Sequence, residues 1–125
     1  MRCYFYAEKP GPPEQPGNGV VSFCIPDLNI TFRARFQGTS PACEYAALLA
    51  LLEFVEINPQ LFKERTVQIF GDSFTVVNQV NERLYCRKEL ASFCNMARVF
   101  KNKIPYVLDW VPKSENPAQG FSPQE

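Results

Sequence analysis

The hydrophobic pattern switches from period two to helical period near residue 40, and that change constrains the fold more than any other feature of the chain. Before it, Ile30, Phe32, Ala34 and Phe36 alternate with Thr31, Arg33 and Arg35, the period-two pattern of a half-buried strand. After it, Tyr45, Leu48, Leu49, Leu52 and Val55 recur at spacings of three and four until Asn58-Pro59 ends the run. Ser40 suits an N-cap and Pro41 the first helical position, so the spacing predicts a helix from Pro41 to about Ile57.

Arg2 to Ala7 reads as a strand and Val20 to Ile25 as a second, separated by a Pro- and Gly-rich loop over 10–19 that neither helix nor sheet accommodates. With the strand from Ile30, these make an antiparallel meander. Beyond the long helix lie a short strand from Thr66 to Phe70, a short helix from Ser73 to Val80, and an amphipathic helix from Glu89 to Asn102 with Leu90, Phe93, Met96, Ala97 and Phe100 inward. Tyr106 to Val111 is the last strand. Helical crossovers join parallel strands, so strands one, four and five are expected to run parallel, in a five-stranded mixed sheet of order 3-2-1-4-5 with helices packed on it. Ligands of such α/β sheets gather at the carboxyl ends of strands where connections diverge, here beside Tyr6, Glu8 and Asp72.

Composition bounds the chemistry. The 125 residues, 46% apolar with eleven Phe, suffice for one core, and the chain reads as a single domain over 1–125 with an irregular tail from about 112. No apolar run approaches the roughly 20 residues of a membrane span, so no membrane partner and a cytoplasmic location are expected. Five cysteines without Cys-x-x-Cys spacing, and no His, argue against zinc, a disulfide framework or a Ser-His nucleophile. Thirteen basic residues balance thirteen acidic ones, but residues 82–103 carry six cations against two anions, a net +4 that could meet phosphates.

Several segments together resemble the ribonuclease H fold, in its compact bacterial and reverse-transcriptase-associated branch. They are Tyr4-Phe5 ahead of the Pro-Gly loop, Cys43-Glu44-Tyr45-Ala46-Ala47-Leu48, Gly71-Asp72-Ser73 with Val76-Val77-Asn78-Gln79-Val80-Asn81, and Trp110-Val111-Pro112-Lys113 with Glu115-Asn116. The resemblance implies cleavage of RNA in RNA-DNA hybrids by two divalent ions, Mg²⁺ or Mn²⁺, held by four carboxylates; such ions sit roughly 4 Å apart and share a bridging ligand. It maps two of those carboxylates, the candidate catalytic and metal-binding residues, onto Glu44 and Asp72. The bridging Asp falls on Tyr6, and the fourth carboxylate on Ala118-Gln119, or on Gly120 if no gap is allowed. The paired Asn residues that precede the helix Glu in the family stand here as Ser40 and Pro41. Glu8, two residues beyond Tyr6 on the same side of the strand but about 7 Å further along, is the candidate replacement.

The reading that follows is a catalytically impaired ribonuclease-H-like domain, without a resident cofactor, that binds nucleic acid (an RNA-DNA hybrid or an RNA-like duplex) or serves as an interaction module. Ser73, Asn78, Gln79, Arg87, Lys88, Lys101 and Lys103 are its candidate contacts. An active hybrid ribonuclease and a purely structural or oligomerising domain are the alternatives. Tyr4, Tyr6 and Tyr45 are expected to cluster where ions would otherwise sit, and the short segment after Gly120 to lack the family's closing helix.

Overall fold

The computed structural model describes residues 1–63 and 66–120. Strands β1 (Arg2–Glu8), β2 (Gly17–Ile25), β3 (Ile30–Gly38), β4 (Val67–Gly71) and β5 (Tyr106–Trp110) form one sheet of order β3-β2-β1-β4-β5. The first three make the antiparallel meander; β1 pairs with β4, and β4 with β5, in parallel. Parallel neighbours need long returns, and α1 (Ser40–Ile57) with α2 (Pro59–Phe62), then α3 (Phe74–Val80) with α4 (Ala91–Val99), supply them. The expected topology is the one found.

Alternation along β1 divides its side chains between the two faces of the sheet. Cys3 and Phe5 enter the main core, whereas Tyr4 and Tyr6 join Cys24 and Ala118 in a small cluster on the other face. The main core is built on α1, which packs on β1 and β2 with one side and on α4 with another. Leu48, Leu51 and Leu52 are completely buried, each stabilising the fold by about 1.5–3 kcal/mol.

Three local expectations change. Thr39, not Ser40, caps α1: its hydroxyl accepts from the Ala42 N–H at 3.3 Å, and Ser40 is already helical. The helix expected over Glu89–Asn102 is split into a 3-10 turn (Lys88–Leu90), α4, and another 3-10 turn (Phe100–Asn102). Met96 is correspondingly turned out, 51% exposed, because Ala97 takes the buried position and adjacent residues on a helix stand about 100° apart. The tail from 112 has structure: 3-10 turns at Lys113–Glu115 and Pro117–Gln119 flank the buried Asn116. Asn116 Nδ2 donates to the Phe5 carbonyl at 2.9 Å and its Oδ1 accepts from the Ala118 N–H at 3.0 Å, tying the tail to β1. The expectation of a missing closing helix concerns Phe121 to Glu125, which lie outside the described residues.

Candidate functional site

The second turn of α1 carries Glu44, and the chain leaving β4 carries Asp72; Ser73 joins them. Its hydroxyl accepts from the Val76 N–H at 3.2 Å, capping α3, and donates to Glu44 Oε1 at 2.7 Å. Glu44 and Asp72 thereby line one cleft of about 340 Å³, with Tyr6, Glu8, Lys9 and Lys113 among its other walls. The approach of β1 to β4 needs a glycine here. Phe5 pairs with Gly71, and a Cβ at Gly71 would lie 2.3 Å from the Phe5 ring.

Burial is the main influence on both acids. It pushes the Glu44 carboxyl up from its ordinary value of 4.5, as does the neighbouring Asp72 charge, while the Ser73 hydroxyl pulls it back. Asp72 is raised from 3.8 by burial, with its own backbone N–H and the Lys113 charge opposing. Its Oδ2 is buried without a hydrogen-bond partner. Lys113 stands over the Tyr6 ring, Nζ 5.6 Å from the centroid. Its ammonium is held above its ordinary value by Tyr6 first, then by the charges of Glu8 and Asp72.

The two further positions to which the resemblance assigns acids carry other side chains. Tyr6 is buried on the sheet face away from α1, and its hydroxyl donates to Glu8 Oε1 at 3.4 Å. Glu8 lines the cleft but its carboxylate is engaged with Tyr6. Ala118 is buried beside Tyr6, and Gln119 Nε2 donates to the Lys113 carbonyl at 2.8 Å. Gly120 lies against Arg33, so close that a Cβ would come within 2.7 Å of Nη1. Tyr45 does not join Tyr4 and Tyr6: it is completely buried in the main core, donating to Gln79 Oε1 at 2.6 Å, because its place on α1 faces α3 and α4. Tyr4 stacks on Phe70 instead, ring centroids 5.4 Å apart.

These residues do not fit a pair of divalent ions. The orphaned Asp72 Oδ2 is a fair ligand for a cation, but Glu44 already spends Oε1 on Ser73, and an ammonium stands nearby. Among the described residues no three His, Cys, Asp or Glu side chains converge as a metal-binding group. A cage for two Mg²⁺ ions needs several converging anionic oxygens, one of them bridging, and Glu8, Glu44 and Asp72 line the cleft without converging in that way.

The residues expected to contact nucleic acid are scattered. Ser73 is at the cleft. Asn78 and Gln79 are turned inward: Asn78 donates to the Phe74 carbonyl at 2.8 Å and accepts from Arg83, and Gln79 takes Tyr45 on one side and the Tyr85 carbonyl on the other. With both amides spent inside the protein, neither reaches a phosphate. Arg87 faces Glu14 at 3.9 Å across the β1-β2 loop, with Lys88 exposed beside it. Lys101 lies over the Tyr106 ring and Lys103 pairs with Glu56 at 3.7 Å. Glu56 is twelve residues past Glu44 on α1, about 18 Å along the axis, so Lys103 belongs to the far end of the domain.

Sequence reasoning passed over Lys9 and Lys113 as cleft cations, and Phe74 and Trp110 as exposed aromatics beside Asp72. Trp110 is 46% exposed and its Nε1 donates to the Asp72 carbonyl at 3.2 Å; Phe74 is 61% exposed. An apolar residue directly after a strand-end Asp and Ser was the available signal for Phe74. Lys9 and Lys113 lie 104 positions apart, and only folding brings them to one cleft.

No protein-family model matches the sequence, and no curated protein matches it either. Solved structures do. RNase H1 from the halophilic archaeon Halobacterium salinarum NRC-1 is similar at 20% identity and a TM-score of 0.78, covering 98% of this chain and 94% of its own. LC11-RNase H1, solved in complex with an RNA/DNA hybrid, is similar at 18% identity and a TM-score of 0.79, with the same coverage of 98% and 94%. The N-terminal RNase H domain of a Mycobacterium tuberculosis protein follows at 17% identity and 0.72, covering 98% and 91%. The chain has the ribonuclease H-like fold, with its mixed sheet in the order 3-2-1-4-5.

Proposed function

We propose that this domain binds a nucleic-acid duplex, an RNA-DNA hybrid first among them, without cleaving it. One observation carries the reading: the three carboxylates of the cleft, Glu8, Glu44 and Asp72, do not converge as a metal-binding group among the described residues, and Lys9 and Lys113 line the same cleft. Phosphate is then met by ammonium groups rather than by metal. Lys113 is exposed and reaches the cleft mouth. Lys9 donates to the Pro10 and Pro12 carbonyls at 2.9 Å each, which leaves its third N–H for a ligand. Exposed Trp110 and Phe74 beside Asp72 offer flat apolar contact to sugars and bases. The hybrid held by the LC11 neighbour supports the choice of ligand.

The experiment is a labelled hybrid titrated against the protein in EDTA and again in Mg²⁺, with product gels from the same mixtures. The reading expects equal, salt-sensitive binding in both and intact RNA. Cleavage that Asp72→Asn abolishes would overturn it. So would binding that requires Mg²⁺ and Asp72 together, since a metal would then complete the cleft.

A further inference from the structure

β3 is an edge strand, paired with β2 alone among the described strands, and its two faces differ sharply. On the face toward α1, Phe32 is 38% exposed, and Ala34 and Phe36 are half-buried. They form one wall of an apolar groove of about 360 Å³, whose other wall is Leu49 of α1 with Phe93, Met96 and Phe100 from α4 and the turn after it. The outward-turned Met96 lines this groove. Alternation places Arg33 and Arg35 toward the opposite face, both exposed; Arg33 lies beside Gly120, the long Arg35 side chain also joins the groove's lining with Glu53 of α1, and among the described residues neither arginine belongs to an ion pair. Along an edge strand every second residue directs its backbone N–H and C=O away from the sheet.

An uncovered ladder, an apolar groove on one side and two arginines on the other specify an alternating partner. We propose that β3 docks an extended segment of another protein in which apolar and acidic residues alternate, adding a sixth strand to the sheet. Its apolar side chains fill the groove and its carboxylates meet Arg33 and Arg35. Charge decides against a second copy. Antiparallel pairing of β3 with its own copy over its full length, centred on Ala34, sets Arg33 opposite Arg35 twice and brings four arginines onto one face at cross-strand spacings of about 5 Å, where like charges destabilise. A helix would leave the edge N–H and C=O groups unpaired.

The test uses a fluorescein-labelled nonapeptide of alternating Glu and Val, read by anisotropy. Two controls share its composition of apolar residues: one carries Lys for every Glu, the other is N-methylated at alternate backbone nitrogens. Saturable binding of the acidic peptide is expected, weakened about tenfold by Arg33→Glu with Arg35→Glu and also by Met96→Glu from the groove side. These are exposed positions, and circular dichroism melts confirm that the variants fold. Neither control peptide should bind. Equal binding of the Lys peptide, retained affinity after N-methylation, or no saturation by about 1 mM overturns the proposal. A dimer of the protein alone that Arg35→Glu alters, seen by sedimentation, overturns it too by assigning the edge to a second copy.

Discussion

Replacing Gly71 by Ala tests how the cleft is held open. The added Cβ would sit 2.3 Å from Cε1 and Cζ and 2.9 Å from Cε2 of Phe5, a ring only 1% exposed. Those atoms lie well inside contact distance, and the ring cannot swing away without displacing the core beneath α1. Overpacking of this kind costs typically 1–3 kcal/mol, and with three ring atoms in conflict the upper end, about 3 kcal/mol, applies. Unfolding entropy of about 2.1 cal/mol/K per residue over this chain length converts that to a fall in Tm of roughly 11 °C. Calorimetry or a thermal melt reads it directly. Phe5→Leu removes the obstructing ring atoms, so the double variant should be less destabilised than the sum of the singles by about 1 kcal/mol or more. A Gly71→Ala protein within about 4 °C of wild type, or strict additivity with Phe5→Leu, refutes the packing argument.

If Lys9 and Lys113 meet phosphates, Lys9→Met with Lys113→Met should weaken hybrid binding and reduce the slope of log K against log salt by about 2, measured by anisotropy at several salt concentrations. In EDTA, Asp72→Asn should strengthen hybrid binding, because it removes a negative charge from a cleft that meets an anion; weaker binding counts against the assignment. Burial raises the folded-state value of Glu44, so the folded protein holds this proton more tightly than the unfolded one. Stability therefore falls as pH rises from the ordinary value of 4.5 through the folded value, and the penalty is fully present above it. Glu44→Gln should raise Tm at pH 7, and the gain should vanish in melts below about pH 4. Asn116→Ala strands the buried Phe5 carbonyl and the Ala118 N–H, and should cost about 2–3 kcal/mol in urea unfolding.

The fold was legible because each of its elements announces itself locally. The alternation from Ile30 to Phe36 and the helical spacing from Tyr45 to Val55 are short-range patterns set by backbone geometry, and crossover length then dictates which strands run parallel. Glu44 and Asp72 were legible as a pair for the same reason: each sits at a recognisable element end, and the sheet order brings those ends together. Element ends were less legible. Thr39 and Ser40 are both plausible caps, and only the hydroxyl-to-Ala42 contact chooses between them. Met96 and Ala97 are adjacent on α4 and about 100° apart, so both cannot face the core squarely, and only the packing of α4 shows that Ala97 and Cys94 take the buried side.

What the sequence determined alone is the order of strands and helices and the lack of any His side chain, both properties of residue identity and local period. What only the tertiary structure decided is which polar groups remain available to a ligand. Asn78 and Gln79 look like surface donors in the chain, yet their amides are consumed by Arg83, Tyr45 and the Tyr85 carbonyl. Lys113 looks like one charge of a tail and becomes a wall of the cleft, because Asn116 anchors that tail to Phe5. A hydrogen bond or an ammonium can be satisfied by any group that folding brings near, and nothing in linear order says which.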